Sequence, residues 1–161
     1  MEREFKIKGL MMDPITNSPI VILQDIEINT LLPIWVGIFE ANAIALQIER
    51  IDTPRPMTHD LIKNLLFQFG ANIEKIVVTH LKENTFYAQI HLEYLGRTNM
   101  IDSRPSDAIA LALRTDSPIF VTEEVIQNSR NITLDKDNLD PEDVRDWLES
   151  LKPEDLGKYE M

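Results

Sequence analysis

Four side chains suited to phosphate chemistry crowd a single turn of this chain. Asp102, Arg104, Ser106 and Asp107 lie in the run IDSRPSDAIALALR, residues 101–114. The run ends a strand, turns on Asp-Ser-Arg-Pro and enters an almost wholly apolar helix. A helix N-terminus gathers free N–H donors and the positive end of the dipole, so such a turn suits an anion. Arg104 can add a bidentate grip on phosphate. Asp102 and Asp107 can hold Mg²⁺, a hard cation that prefers carboxylate oxygen. The plainer reading of the same residues is structural: Ser106 and Asp107 cap the helix and Arg104 pairs with Asp107.

A second candidate group is PRPMTHD, residues 54–60. Thr58 has the right side chain for an N-cap, which puts His59 and Asp60 in the first turn of a helix after a rigid loop. His59 can serve as general base or metal ligand, with Asp60 orienting it or binding metal. Otherwise Asp60 complements the helix dipole and His59 is exposed. Glu40 opens another apolar helix. It is a dipole partner there, or a third carboxylate if the two turns meet in space. Asp13 belongs to a turn.

The elements that must position these groups repeat. Ala43–Leu46 and Ala108–Leu111 both read AIAL, an offset of 65, and the register continues at 64 from Pro54 to Pro118 and from Thr58 to Thr122. Strands are expected over residues 5–10, 20–23 and 32–36, with helices over 39–50 and from Thr58 to Gly70. The order recurs as strands over 73–79, 85–93 and 98–102, then a helix over 105–114 and one from Thr122 to 129. The 39–50 helix is apolar on most sides and is expected to be deeply buried. The second strand of the later unit alternates cleanly between Phe86, Ala88, Ile90, Leu92 and a polar set. This predicts an α+β fold: a duplicated β3α2 unit, its sheet largely antiparallel or mixed and covered by helices. The domain spans 1–131, with internal repeats at about 5–70 and 72–130. An acidic extension, 132–161, follows. It carries one helix, in which Val144, Trp147, Leu148 and Leu151 form a stripe after an Asp140-Pro141 start.

Composition narrows the function. The 161 residues hold 27 Asp and Glu against 16 Lys and Arg, a net charge of −11. Passive binding to a phosphate backbone needs a basic footprint, so it is disfavoured. Local grip on nucleic acid through a metal is not. No Cys is present, which removes disulfide and thiolate chemistry. No apolar run is long enough for a membrane span or a signal peptide, so a cytoplasmic protein is expected. Gly-rich phosphate loops, His-Glu-x-x-His and G-x-S-x-G motifs are absent from the sequence.

Three long stretches carry a family resemblance. PIWVGIFEANAIAL (33–46), TPRPMTHDLIKNLL (53–66) and IDSRPSDAIALALR with PIFVTEEV (118–125) closely resemble the bifunctional nuclease domain family. The resemblance covers roughly residues 5–129. The chain has Ser103 where the family usually has Ala. The family takes its name from members that degrade both DNA and RNA, so the resemblance implies hydrolysis of phosphodiester bonds. Motif positions carried over are Glu40, Arg55, Pro56, Thr58, His59, Asp60, Asp102, Arg104, Pro105, Ser106 and Asp107.

The resulting expectation is a metal-dependent nuclease. Asp102, Asp107 and Glu40 would hold Mg²⁺ or Mn²⁺, Arg104 would neutralise developing phosphate charge, and His59 would be base or ligand. The rival is a non-catalytic oligomeric module holding a small anion or a protein partner. A homo-oligomer, a dimer first, is expected from Trp35, the edge strands and the Trp147 stripe.

Overall fold

Two apolar runs without polar alternation set the architecture: β2 (Pro19–Asp25) and β3 (Thr30–Trp35) are buried along nearly their whole length. The computed structural model describes residues 1–129, 132–133 and 146. The helix expected after residue 140 therefore lies outside the described residues, Asp146 excepted. β1 (Glu2–Met12) precedes the two buried strands, and α1 (Ile38–Ile48) and α2 (Thr58–Gln68) follow them. β4 (Asn72–Lys82), β5 (Thr85–Tyr94) and β6 (Arg97–Ser103) come next. Then come α3 (Pro105–Thr115), β7 (Ile119–Thr122), α4 (Glu123–Asn128) and β8 (Ile132–Thr133).

All strands join one sheet in the order β6-β5-β4-β7-β1-β2-β3-β8. Every pair is antiparallel except β4 with β7. The fold is thus α+β with a mixed, largely antiparallel sheet, as expected. Tight turns join the hairpins: Glu83 and Asn84 bridge β4 to β5, and Leu95 and Gly96 bridge β5 to β6, all four with positive φ. Both AIAL segments are helical, one in α1 and one in α3. The shared element order agrees with a duplicated unit, although β7 has no counterpart in the first half. Superposition of 5–70 on 72–129 is the test of common descent, which we propose.

One face of the sheet carries the helices. Val21, Leu23, Leu32 and Ile34 of β2 and β3 form a single cluster with Ala41 and Ile44 of α1, Ile109 of α3 and Val125 of α4. Three expectations are corrected here. The helix α1 is not buried all round: Phe39 is 85% exposed and Ile38 67%, because only the face bearing Ala41, Ala43 and Ile44 reaches the sheet. Thr58 does not cap α2. Met57 occupies that position, and its N–H donates to Asp60 Oδ2 at 2.9 Å. Trp35 offers no surface to a second subunit, since it is buried and its indole Nε1–H donates to Asp13 Oδ2 at 2.8 Å. Thr122, by contrast, does cap α4, accepting from the Val125 N–H.

Asp13 is structural in this arrangement. Its carboxylate also accepts from the Ile15 and Thr16 N–H groups and the Thr16 hydroxyl. Burial works to raise its pKa, but the bonds from Trp35, Ile15 and Thr16 outweigh that and hold it below the ordinary value. Asp13→Ala would strand a buried indole N–H and open the turn. A loss of about 1–3 kcal/mol is expected in urea denaturation. An unchanged midpoint would contradict this role.

Candidate active site at three helix N-termini

The N-terminal ends of α1, α2 and α3 contribute to one cleft, and each carries an acid in its first turn: Glu40, Asp60 and Asp107. An acid is favoured there by the unsatisfied N–H groups and positive dipole of a helix start. Local sequence builds each start. Gly37 precedes α1, and a Cβ at that position would collide with Glu40 Oε2, so glycine leaves room for the carboxylate to fold back. Pro105 begins α3 immediately after β6, with its φ already helical. The cleft, about 630 Å³, is lined by Phe39, Glu40, Met57, Thr58, His59, Asp102, Arg104 and Asp107, among others.

A continuous chain of contacts joins four of the candidates. His59 Nε2 lies 2.9 Å from Asp107 Oδ1. Arg104 Nε–H donates to Asp107 Oδ2 at 2.8 Å, and its Nη2–H donates to Glu40 Oε1 at 2.7 Å. An ionised carboxylate only accepts, so beside one a neutral His59 carries its proton on Nε2 and has its lone pair on Nδ1. The His59 side chain is 10% exposed, not the open side chain of the plainer reading. The Asp107 carboxylate first, and Glu40 second, hold the Arg104 guanidinium above its usual pKa. The Arg104 side chain remains about half exposed. Its Nη1 makes no hydrogen bond among the described residues and is left to donate to a ligand.

Asp60 turns the other way. Its Oδ1 accepts from Arg114 Nε–H at 2.7 Å. Burial opposes ionisation of Asp60, but the Met57 N–H and Arg114 outweigh it and lower its pKa. Arg114 also donates to the Ala110 and Ala43 carbonyls. It thereby ties the start of α2 to α1 and α3 and sets His59 against Asp107. Sequence reasoning passed over Arg114 and Gly37. The signals were an arginine in a helix otherwise apolar, and a glycine three residues before an acid.

The remaining candidates scatter. Asp102 is exposed on β6, at the cleft, paired through the backbone with Gln89. Thr58 lines the cleft, whereas Arg55 lines a separate polar hollow with Asp60 and Lys63. Ser106 is wholly buried, and its hydroxyl has no partner among the described residues. No group of three or more His, Asp or Glu is placed to hold a metal ion among the described residues. Glu40 and Asp107 do come together, but through Arg104 between them. In this arrangement their oxygens serve the guanidinium and the imidazole, so the donor set does not fit a cation.

Comparison with known proteins places the whole cluster inside one family domain. The model of the bifunctional nuclease domain matches residues 21–133, which include Glu40, His59, Arg104 and Asp107. An uncharacterised protein of Mycobacterium tuberculosis is 32% identical over 162 residues, covering 95% of this chain and 97% of its own length. Bifunctional nuclease 1 of Oryza sativa subsp. indica is 25% identical over 122 residues, 74% of this chain and 37% of that protein. Bifunctional nuclease 1 of Arabidopsis thaliana is 26% identical over 118 residues, 71% and 36% of the two chains. The match thus spans little more than a third of the plant proteins. With the family model covering most of the chain and all four linked residues, the chain belongs to the bifunctional nuclease domain family.

Proposed function

We propose that the chain is a nuclease that hydrolyses phosphodiester bonds of RNA, DNA or both at the His59–Asp107–Arg104–Glu40 cluster. The observation that carries the reading is the His59–Asp107 contact beside Arg104 in an open cleft. His59, oriented by Asp107, takes a proton from water. The water oxygen bonds to phosphorus as the bond to the leaving oxygen breaks, and a proton returns to that oxygen. Arg104 donates to the phosphate oxygens as charge builds there, and the helix N-termini add positive potential. Glu40 keeps Arg104 extended across the cleft. Acting on DNA as well as RNA, as the family resemblance implies, requires water as nucleophile, since DNA lacks the 2′-hydroxyl.

Assistance by Mg²⁺ or Mn²⁺ is a separate proposal. It would require Asp107 and Glu40 to leave Arg104 and His59 and reorganise with Asp102 around the ion. Cleavage of single-stranded RNA and DNA, with and without EDTA, tests both. Activity that persists in EDTA removes the metal and keeps the cluster. A second reading, a non-catalytic module holding a small anion or partner, draws on the charge of −11 and on the two carboxylates already engaging Arg104. Binding of oligonucleotide without cleavage would support it.

We infer further that the chain forms a homo-oligomer, a dimer first. Phe39 stands exposed at the cleft with Ile38 exposed next to it in sequence, and β6 is a sheet edge of seven residues, six of them exposed. Such an edge can pair antiparallel with its copy. Light scattering at micromolar concentration is expected to give a dimer mass, and Phe39→Asp to lower it. A monomer mass for the wild type would overturn the inference. Among the described residues no helix is long and apolar enough to cross a membrane. The cytoplasm is the proposed location.

A further inference from the structure

The strands β2 and β3 bury both faces, yet the described helices cover only one. Register places Ile20, Ile22 and Gln24 opposite Trp35, Pro33 and Leu31, on the face away from the helical cluster. All six are buried, and Ile20 and Leu31 have no exposed surface. On the same face of the sheet's other half, register sets Tyr87, Gln89, His91 and Glu93 of β5, a polar and partly exposed row. Each described helix directs its buried and partly buried apolar residues to the opposite cluster. Among the described residues, Asp13 reaches this face only at the Trp35 indole.

We propose that residues 140–151 of the same chain cover this face, with Val144, Trp147, Leu148 and Leu151 packed on Ile20, Ile22, Leu31 and Trp35. Position favours this occupant. β8 pairs with Thr30 and Leu31 of β3, so the chain arrives at the sheet edge beside the buried face with 28 residues still to follow. The six residues 134–139 can reach roughly 20 Å, several times the strand spacing of about 4.8 Å. A 12-residue helix is about 18 Å long, close to the length of β3. Its pattern fits too. Val144, Trp147, Leu148 and Leu151 share one side of a helix, and Asp146, which is helical and exposed, falls on the other. The acids of the extension stay in water on that outer side.

The test is made in the full chain. Trp147→Asp with Leu148→Asp is expected to lower the melting temperature by roughly 10 °C and to raise binding of an apolar fluorescent dye, whereas Trp147→Phe stays near wild type. Wild-type melting and dye binding in the charged variant would overturn the proposal. A second variant decides the matter even if the first does not fold. The natural chain has no cysteine, so Pro33→Cys with Leu148→Cys has a single possible disulfide pairing within a chain. Oxidation is expected to link the two positions within one chain, independent of protein concentration. A bond formed only between chains would assign the face to a second copy, and no bond at all would leave the segment elsewhere. Either result overturns the proposal.

Discussion

Replacing His59 by alanine is expected to lower phosphodiester turnover by about 10²–10⁴-fold, the usual effect of removing a positioned general base. The side chain is shielded on most sides but lines the cleft. Its Nε2 is held by Asp107, so Nδ1 is the nitrogen available to a water. Asp107→Asn should approach the same loss. The amide keeps the shape but gives up the charge that supports the imidazolium and holds Arg104 in place. Both variants should fold, because Asp107 is partly exposed and each change removes only one or two bonds, about 1–3 kcal/mol. Turnover and thermal melting measured together separate the two effects. Wild-type turnover in His59→Ala would remove it from the chemistry.

The largest effect on stability is expected at Arg114. Its side chain is 2% exposed and makes three bonds to three helices: Asp60 of α2 at 2.7 Å, Ala43 of α1 at 3.0 Å and Ala110 within α3 at 2.9 Å. Arg114→Ala removes the charged partner of the Asp60 carboxylate and one donor from each of two carbonyls, a cost of about 3–5 kcal/mol. Arg114→Lys should recover little, since a single ammonium cannot reproduce the planar fork. Urea denaturation is the measurement, and a midpoint near wild type for Arg114→Ala would contradict the clamp. Acid should expose the same contact. The folded pKa of Asp60 lies below its ordinary 3.8, so its contribution is fully present above that value and is lost as pH falls through the folded value. Asp13 is lowered as well and acts in the same acidic window. The stability that Asp60 and Asp13 contribute should therefore be lost below about pH 4, and Arg114→Ala should lose less over that interval.

Local pattern carried much of this fold, because the features that made it legible act over a few residues. Alternation in residues 85–93 and the apolar runs of β2 and β3 gave strands, and Pro105 gave the start of α3. The link from Arg104 to Asp107 spans three residues and was open to reading. The links that assemble the site are different in kind. His59 meets Asp107 across 48 residues and Arg104 meets Glu40 across 64, through the sheet order that brings three helix starts together. Nothing in the periodicity of α1 indicated that Phe39 would face outward, since an apolar side chain reads the same whether it meets the sheet or the cleft. The metal expectation rested on carboxylates gathered beside Arg104 at a helix start in a chain of net charge −11. Arg104 between Glu40 and Asp107 changes what those carboxylates hold, and that placement depends on tertiary packing.

The central claim is that the imidazole and carboxylate at 59 and 107 perform hydrolysis. It is tested most directly by cleavage of end-labelled single-stranded RNA and DNA by wild type and Asp107→Asn, purified in parallel and matched by melting temperature. Wild type should yield shortened products, and the variant should lose about 10²-fold or more in rate with its fold intact. No cleavage of either polymer by wild type, or equal cleavage by both proteins, would contradict it.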